Sequence, residues 1–456
     1  MSRIRYFTAL YAAKLFSRLL KLLHRNGSHY PGVLALKLCP DFLAQSAKPA
    51  HILGITGTNG KTTVTNMIGD ALTNSGYNLV SNRAGSNILG GIATTFVSAV
   101  DLSGKPKTDL MVLEIDERSS RLIFPYVHPE LLIVNNLFRD SMKRNAHSEF
   151  IFDILNSSIP ASTKLILNAD DPISARLAPD NERVYFSVDP QPDESVSEPN
   201  MIQDLPYCPY CGAPLIYDFR RYHHIGRVHC SNCEFASPAA DYRFLRIDGE
   251  RAFLETPDGS LICKQIGSMI PDLYNQTAVT AMLREFGLTS QQISAAFDNV
   301  GIVGTRFQEK TIGHIKVLLR VAKGQNPIAV SRVMDGVGRN PGRNAVLLAL
   351  DDLRDALETC ETNAWHFDTD YEFLASDNIV QIVVGGPRAL DHVLRLELAG
   401  VDPAKISWTL TESDAVKLIR TEACDTVWIL RDTYNTQYAA QDMKYLEEHV
   451  EGGETA

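Results

Sequence analysis

The sequence predicts an α/β protein: an ATP-binding domain on a parallel sheet, a small cysteine-rich insertion, and a second α/β domain behind it. Three observations carry this expectation. A glycine-rich loop, Gly54-Ile55-Thr56-Gly57-Thr58-Asn59-Gly60-Lys61-Thr62-Thr63, follows an apolar run and precedes a helix-like stretch. Two Cys-x-x-Cys pairs, Cys208/Cys211 and Cys230/Cys233, stand eighteen residues apart. Short continuous apolar runs alternate with helical segments in both halves, the pattern of parallel strands covered on both faces.

The loop sets the chemistry. Glycines let backbone N–H groups wrap around phosphates, Lys61 supplies a cation for the β- and γ-phosphates, and Thr62 offers a hydroxyl to Mg²⁺. A standard phosphate loop has glycine where Ile55 stands, so Gly57 to Thr63 carries the match. A turn before an ordinary helix is the bland alternative. The frame follows in order. Residues 51–57 read as a buried strand, 65–75 as a helix, and 109–115 as a second strand ending in Glu114-Ile115-Asp116-Glu117. Residues 130–135 and Lys164–Asn168 read as two more strands. Ligands of such sheets sit at the carboxyl ends of strands, where Thr58, Glu114, Asn135 and Asn168 fall.

Residues 189–206 are acidic, carry four prolines, and read as a linker. The cysteine pairs beyond it supply four thiolates for a tetrahedral Zn²⁺ site that leaves no position open for water, hence a structural one. His223, His224 and His229 lie between the pairs and read as surface residues. Residues 239–264 alternate like strands, with turns at Asp248-Gly249 and Asp258-Gly259. Residues 275–286 and 289–297 read as helices, the latter capped by Thr289. A new domain begins near Gly304-Thr305-Arg306, with strands at 346–350, 379–384 and 426–430. The expected organisation is an N-terminal helical segment (1–48), an ATP-binding domain (49–303) with a zinc ribbon at 205–237, and a C-terminal domain (304–456).

A net charge of −10 argues against nucleic acid as a partner. No apolar run reaches the roughly 18–20 residues of a membrane span, and the N-terminus lacks a signal-peptide pattern. A cytoplasmic location is expected. Seven basic residues precede the first acid, Asp41. Lys14, Arg18, Lys21 and Arg25 recur on one helical face, and Ile4, Phe7, Tyr11, Leu15, Leu19 and Leu22 on another. Such a basic amphipathic helix either lies on an anionic membrane surface, at its inner face, or packs on the protein's own core.

Several segments resemble the MurT family, the Mur-ligase-like subunits of lipid II isoglutaminyl synthases that work with a glutaminase, GatD. Residues 57–63 are similar to the Mur ATP loop. Asn82-Arg83-Ala84-Gly85-Ser86-Asn87 resembles the family's Asn-Arg-Thr-Gly-Ala-Asn, and residues 114–117 its acidic Glu-x-Asp-Glu. Asn136-Leu137-Phe138-Arg139-Asp140 resembles Asn-Leu-Phe-Arg-Asp, residues 167–172 the Asn-x-Asp-Asp-Pro turn, and Tyr274-Asn275 the family's Leu-Tyr-Asn. The inserted ribbon is what separates this family from amino-acid-adding Mur ligases. Three C-terminal segments depart from the pattern: Ala322-Lys323-Gly324-Gln325-Asn326-Pro327, Ala349-Leu350-Asp351-Asp352 and Trp365-His366-Phe367-Asp368.

The resemblance implies amidation of the D-glutamate α-carboxyl of lipid II, with ATP making an acyl phosphate that ammonia attacks. Gly57, Asn59 and Gly60 would present backbone donors, with Thr58 and Thr63 in the same loop. Lys61 would hold the γ-phosphate, and Thr62 and Glu114 would hold Mg²⁺. Asn275 and Asp170 or Asp171 would line the nucleotide pocket, though the turn is equally a helix-entry signal. Asp368 is the expected catalytic carboxylate, with Asp351, Asp352 and Asp370 as rivals. Cys39, Cys263, Cys360 and Cys424 lack the setting of a glutaminase nucleophile, so ammonia is expected from a separate GatD-like subunit. The alternatives are a Mur-type or folylpolyglutamate-type amino-acid ligase and a non-catalytic ATP-binding scaffold.

Overall fold

The computed structural model describes residues 2–83, 86–139, 147–191, 194, 200–267, 269–300, 307–321, 326–351, 364–432 and 436–450. Gly304, Thr305, Arg306, Asp140, Asp352 and Cys360 lie outside the described residues. The chain forms two compact units: 1–138, 147–199 and 203–302 make the first, and 139–146, 200–202 and 303–456 the second.

The first unit holds helices α1 (Ser2–Leu22), α2 (Tyr30–Leu38), α3 (Phe42–Gln45), α4 (Lys61–Asn74), α5 (Leu89–Ala99), α6 (Ser120–Ile123), α7 (Ser148–Ser158), α8 (Ile270–Glu285) and α9 (Ser290–Asp298). Its strands are β1 (His51–Thr56), β2 (Leu79–Ser81), β3 (Leu110–Glu114), β4 (Leu131–Val134), β5 (Lys164–Asn168), β6 (Arg183–Val188), β7 (Leu215–Tyr222), β8 (Ile225–Cys230), β9 (Tyr242–Asp248), β10 (Arg251–Thr256) and β11 (Gly259–Lys264). Nine strands make one sheet in the order β11-β10-β9-β6-β5-β4-β1-β3-β2. From β9 to β2 the pairs are parallel, and β10 and β11 extend the edge antiparallel. Every residue of β3 and β4 is buried, and in β1 only His51 is exposed, as the continuous apolar runs require.

Local chemistry explains the helix ends. Thr289 caps α9 reciprocally: its hydroxyl accepts from the Gln292 amide, and the Gln292 side chain accepts from the Thr289 amide. Helix α8 begins at Ile270, five residues before the expected start, because Pro271 suits a first turn and Asp272 accepts from the Met269 amide. Helix α4 likewise begins at Lys61, earlier than the expected Thr65. Helix α1 buries Tyr6, Ala9, Leu10 and Ala13 in the core with Phe42, Ile92 and Phe96. The expected apolar face is the outward one: Ile4, Tyr11, Leu15, Leu19 and Leu22 are exposed, and Phe7 is half-buried. Lys14 turns inward and donates to the carbonyls of Val97 and Val100 at the end of α5, both at 2.6 Å. Among the described residues, no helix is long and apolar enough to cross a membrane.

The second unit adds β12 (Phe307–Ile312), β13 (Ile315–Val321), α10 (Pro327–Arg339), β14 (Asn344–Ala349), α11 (Ala364–Phe367), β15 (Ile379–Gly385), α12 (Ala389–Leu398), β16 (Ile406–Thr409), β17 (Thr426–Arg431) and α13 (Thr436–Val450). Its sheet order is β12-β13-β17-β14-β15-β16, parallel except for the edge strand β12. Two apolar clusters cover its two faces. Arg431 is fully buried and satisfied by Asp442 and Glu412.

Candidate active site

Strand β1 delivers the chain at Thr56 into a loop that returns as α4. Gly57 has φ +125° and Gly60 φ +87°, the left-handed region that glycine enters without strain. A Cβ at Gly60 would lie 2.3 Å from the Asn135 side-chain nitrogen and 2.5 Å from the Asn275 side-chain oxygen. Asparagines just beyond β4 and in the second turn of α8 hold the loop. The Thr58 amide donates to the Asn136 carbonyl (2.8 Å), and the Asn59 amide to the Asn136 side-chain oxygen (2.9 Å). The Asn135 side chain donates to the Asn59 carbonyl (3.0 Å) and to Asn275 (2.9 Å). The Thr58 hydroxyl accepts from the Phe138 amide at 2.9 Å. The Thr58 and Asn59 amides therefore fix the loop's shape. Helix α4 opens with no side-chain cap from Gly60, and an uncapped helix N-terminus favours an anion. Thr62 and Thr63, both half-buried, stand in that first turn.

Lys61 contacts the Gly57 carbonyl and lies 3.2 Å from both Glu117 oxygens. Burial opposes its charge, but Glu117, Glu114 and Asp116 outweigh that and hold the ammonium above its usual range. Glu114 ends β3. Asn82 brackets its backbone, donating to its carbonyl and accepting from its amide, both at 2.8 Å. Asn87 donates to the Glu114 carboxylate at 2.8 Å. The sequence singled out the segment from Asn82 to Asn87 without giving these two asparagines a task. The loop, Lys61, Thr62, Glu114 and Asn275 thus come together at the carboxyl end of the sheet.

Asp170 and Asp171 are bound elsewhere. Asp171 accepts from the amides of Leu137 (2.7 Å), Ile173 (2.9 Å) and Ser174 (3.2 Å), so the turn serves as a local cap. Asp170 accepts from the Tyr274 hydroxyl at 2.8 Å and pairs with Arg227 at 3.0 Å. Both meet the β7–β8 hairpin between the cysteine pairs. There the expectation of surface histidines is corrected: His223 and His224 are buried, and only His229 stays partly exposed. The hairpin tip folds into the acidic turn, where His224 lies 3.2 Å from Asp171 and 3.7 Å from Asp204. Burial disfavours its charge, yet the two carboxylates push it up to about 9. Arg221 reaches Glu194 (2.8 Å) and the Tyr274 hydroxyl (2.5 Å).

The sulfurs of Cys208, Cys211, Cys230 and Cys233 lie within 4.8 Å of one another. Two pairs stand at 3.5 and 3.4 Å, against about 3.8 Å for sulfurs around a tetrahedral Zn²⁺ with ordinary Zn–S bonds. The Ala213 amide pulls Cys211 down to about 6. The Phe235 amide pulls on Cys233 too, but burial and three neighbouring thiols push it up to about 12. Four sulfurs this close suit a dication, which binds them as thiolates.

In the second unit, Asp368 follows α11 and lies 3.6 Å from the Arg139 guanidinium. Two of its rivals, Asp351 and Asp370, are engaged as well. Asp351 accepts from the Arg388 amide at 2.8 Å and lies 3.4 Å from His392. Asp370 accepts from the Met201 amide (2.7 Å) and the Asn200 side chain (2.8 Å).

The Mur ligase middle domain family matches residues 55–195, and the MurT ligase C-terminal family matches 324–436. Among solved structures, a pseudomurein peptide ligase type C from Methanothermus fervidus superposes with a TM-score of 0.69, covering 89% of this chain and 81% of that one at 18% identity. MurF ligase from Thermotoga maritima, solved with ADP, gives 0.55, covering 92% and 84% at 15% identity. Sheet, glycine loop, half-buried lysine and the Mur ligase middle-domain match fit an ATP-dependent ligase of the Mur class. The chain is 31% identical over 403 residues to the MurT subunit of lipid II isoglutaminyl synthase from Staphylococcus aureus, covering 88% of this chain and 89% of that protein. Against its Streptococcus pneumoniae counterpart it is 30% identical, with 89% and 90% covered. The chain belongs to the MurT family.

Proposed function

We propose that this protein amidates the D-glutamate α-carboxylate of lipid II, converting it to D-isoglutamine through an acyl phosphate. Ammonia comes from a GatD-like glutaminase subunit with which the chain forms a heterodimer, working in the cytoplasm at the inner membrane face. The observation that carries this reading is identity of 30–31% over about nine-tenths of both chains with two MurT subunits of lipid II isoglutaminyl synthases.

The roles assigned to residues are part of the proposal. An unaided carboxylate does not react with ammonia, because its leaving group is oxide; phosphorylation supplies a better one. Lys61 leaves Glu117 for the γ-phosphate, and the opening turn of α4 receives the phosphate oxygens with Gly57, Asn59 and Gly60 shaping the loop. Thr62 and Glu114 would hold Mg²⁺, a hard cation suited to their oxygens, which neutralises charge on the transferring phosphoryl group. Asn275 would fix the loop through Asn135. Asp368 is the proposed group that orients or deprotonates ammonia. The four cysteines would hold Zn²⁺, which secures the hairpin and leaves no position open for chemistry. Among the described residues, the thiols outside the cluster support an external ammonia source. Burial pushes Cys39 and Cys424 up to about 11 and Cys263 to about 12, which suits no nucleophile.

The test is an amidation assay on purified lipid II with ATP, Mg²⁺ and glutamine, with and without a co-purified glutaminase subunit, and with ammonium alone. Amidation that requires ATP, with ammonium replacing glutamine plus partner, is expected. Turnover of ATP only when an amino acid is offered would reassign the protein to an amino-acid-adding ligase.

A further inference from the structure

Helix α1 is apolar on two opposite faces, and the fold covers one of them. Tyr6, Ala9, Leu10 and Ala13 face the core. Ile4, Tyr11, Leu15, Leu19 and Leu22 recur at steps of seven, four, four and three residues and form a second stripe about half a turn around. Ile4 is 77% exposed, Leu15 60% and Leu22 76%. The stripe runs for about 27 Å along the helix. It broadens where the Tyr11 hydroxyl donates to the carbonyl of Leu102, itself exposed. An exposed apolar strip of this length marks an interaction site.

Charge identifies the occupant. Residues 1–40 carry seven Lys and Arg and no Asp or Glu, in a chain of net charge −10. Lys14 is used inside, at the end of α5. Arg3, Arg5, Arg18, Lys21 and Arg25 are exposed around the stripe. A second copy docking through this face would bring another helix of the same sign against it. An anionic bilayer offers what the face lacks, acyl chains for the leucines and phosphates for the basic side chains at their rim. We propose that the outer face of α1 is a docking surface for anionic phospholipid, with α1 lying in the plane of the interface. This stands apart from the amidation reaction, since it would hold for any reaction at the sheet.

The full chain is sedimented with vesicles of equal parts phosphatidylglycerol and phosphatidylcholine, and with phosphatidylcholine vesicles. Co-sedimentation with the anionic vesicles is expected, weakened by salt and at least tenfold poorer without phosphatidylglycerol. The paired change Leu15→Ser with Leu19→Ser should cut partitioning at least tenfold. Arg18→Glu with Lys21→Glu should cost about fivefold or more for each basic residue removed. Circular dichroism and ATP affinity, unchanged in both, would exclude misfolding. Wild-type protein left in the supernatant, or variants that sediment as it does, would overturn the proposal. So would a dimer in sedimentation velocity that the leucine variant abolishes, which would give the face to a second copy.

Discussion

Gly60→Ala tests the loop most directly. Gly60 sits at φ +87°, where an alanine costs about 1–2 kcal/mol. Its Cβ would meet Asn135 at 2.3 Å and Asn275 at 2.5 Å, breaking the 2.9 Å hydrogen bond between them, worth about 1 kcal/mol. The free loop can relieve this strain by leaving the left-handed conformation, so nucleotide binding must restore it. Together about 2–3 kcal/mol is lost from binding, roughly 30- to 150-fold in the ATP dissociation constant. Gly76→Ala is the control. Gly76 follows the same helix at φ +89°, and an alanine methyl there would have nothing within 4 Å, so it carries the backbone strain without the contacts. Isothermal titration with a non-hydrolysable ATP analogue reads both. Parent-like affinity in Gly60→Ala, or an equal loss in Gly76→Ala, would refute the reasoning.

His224 gives a pH signature. Its folded value is raised from 6.5 to about 9, so its contribution is complete below pH 6.5 and lost as pH rises through about 9. Urea unfolding should show stability declining over that window, and His224→Gln should flatten the decline while costing about 3–5 kcal/mol at neutral pH, because Asp171 and Asp204 lose their buried counter-charge. Purified protein should carry one Zn²⁺ per chain by elemental analysis, and Cys211→Ser should lose it together with several degrees of melting temperature. Asn87→Ala should weaken Mg²⁺-dependent ATP turnover by about tenfold with little change in melting temperature, since it frees the carboxylate of Glu114 from its hydrogen bond. Asp368→Asn should lower amidation by about 100-fold or more while ATP affinity holds; parent-like amidation would remove Asp368 from the mechanism.

What the sequence revealed was local. The path from β1 through the loop to α4, the four cysteines, and the Thr289 cap are each written in contiguous residues. What it hid depended on the tertiary partner. His223 and His224 look like polar hairpin residues, and nothing nearby in sequence says that an acidic turn more than fifty residues away will bury them. Asp170 and Asp171 looked equally like nucleotide ligands or a helix entry; the amides of Leu137, Ile173 and Ser174 engage Asp171 as a helix entry would, while the Val188 amide, the Tyr274 hydroxyl and Arg227 hold Asp170. Asn82, Asn87, Asn135 and Asn136 satisfy loop groups across the sheet, a task that carries no periodicity to read. In α1 the periodicity was genuine, but it named the outward stripe, because alanines made the inward one inconspicuous.

The joint between the cysteine hairpin and the sheet is ionic where most such joints are greasy. Arg221, His224 and Arg227 meet Glu194, Asp171, Asp204 and Asp170. Such a joint is keyed. Cut away the hairpin and three or more carboxylates are stranded in a dry interior; graft in a foreign one and its side chains must match the same lock. Hairpin and acidic turn thus form a matched pair, and chimeras that exchange one without the other should fail at folding before catalysis is ever asked of them.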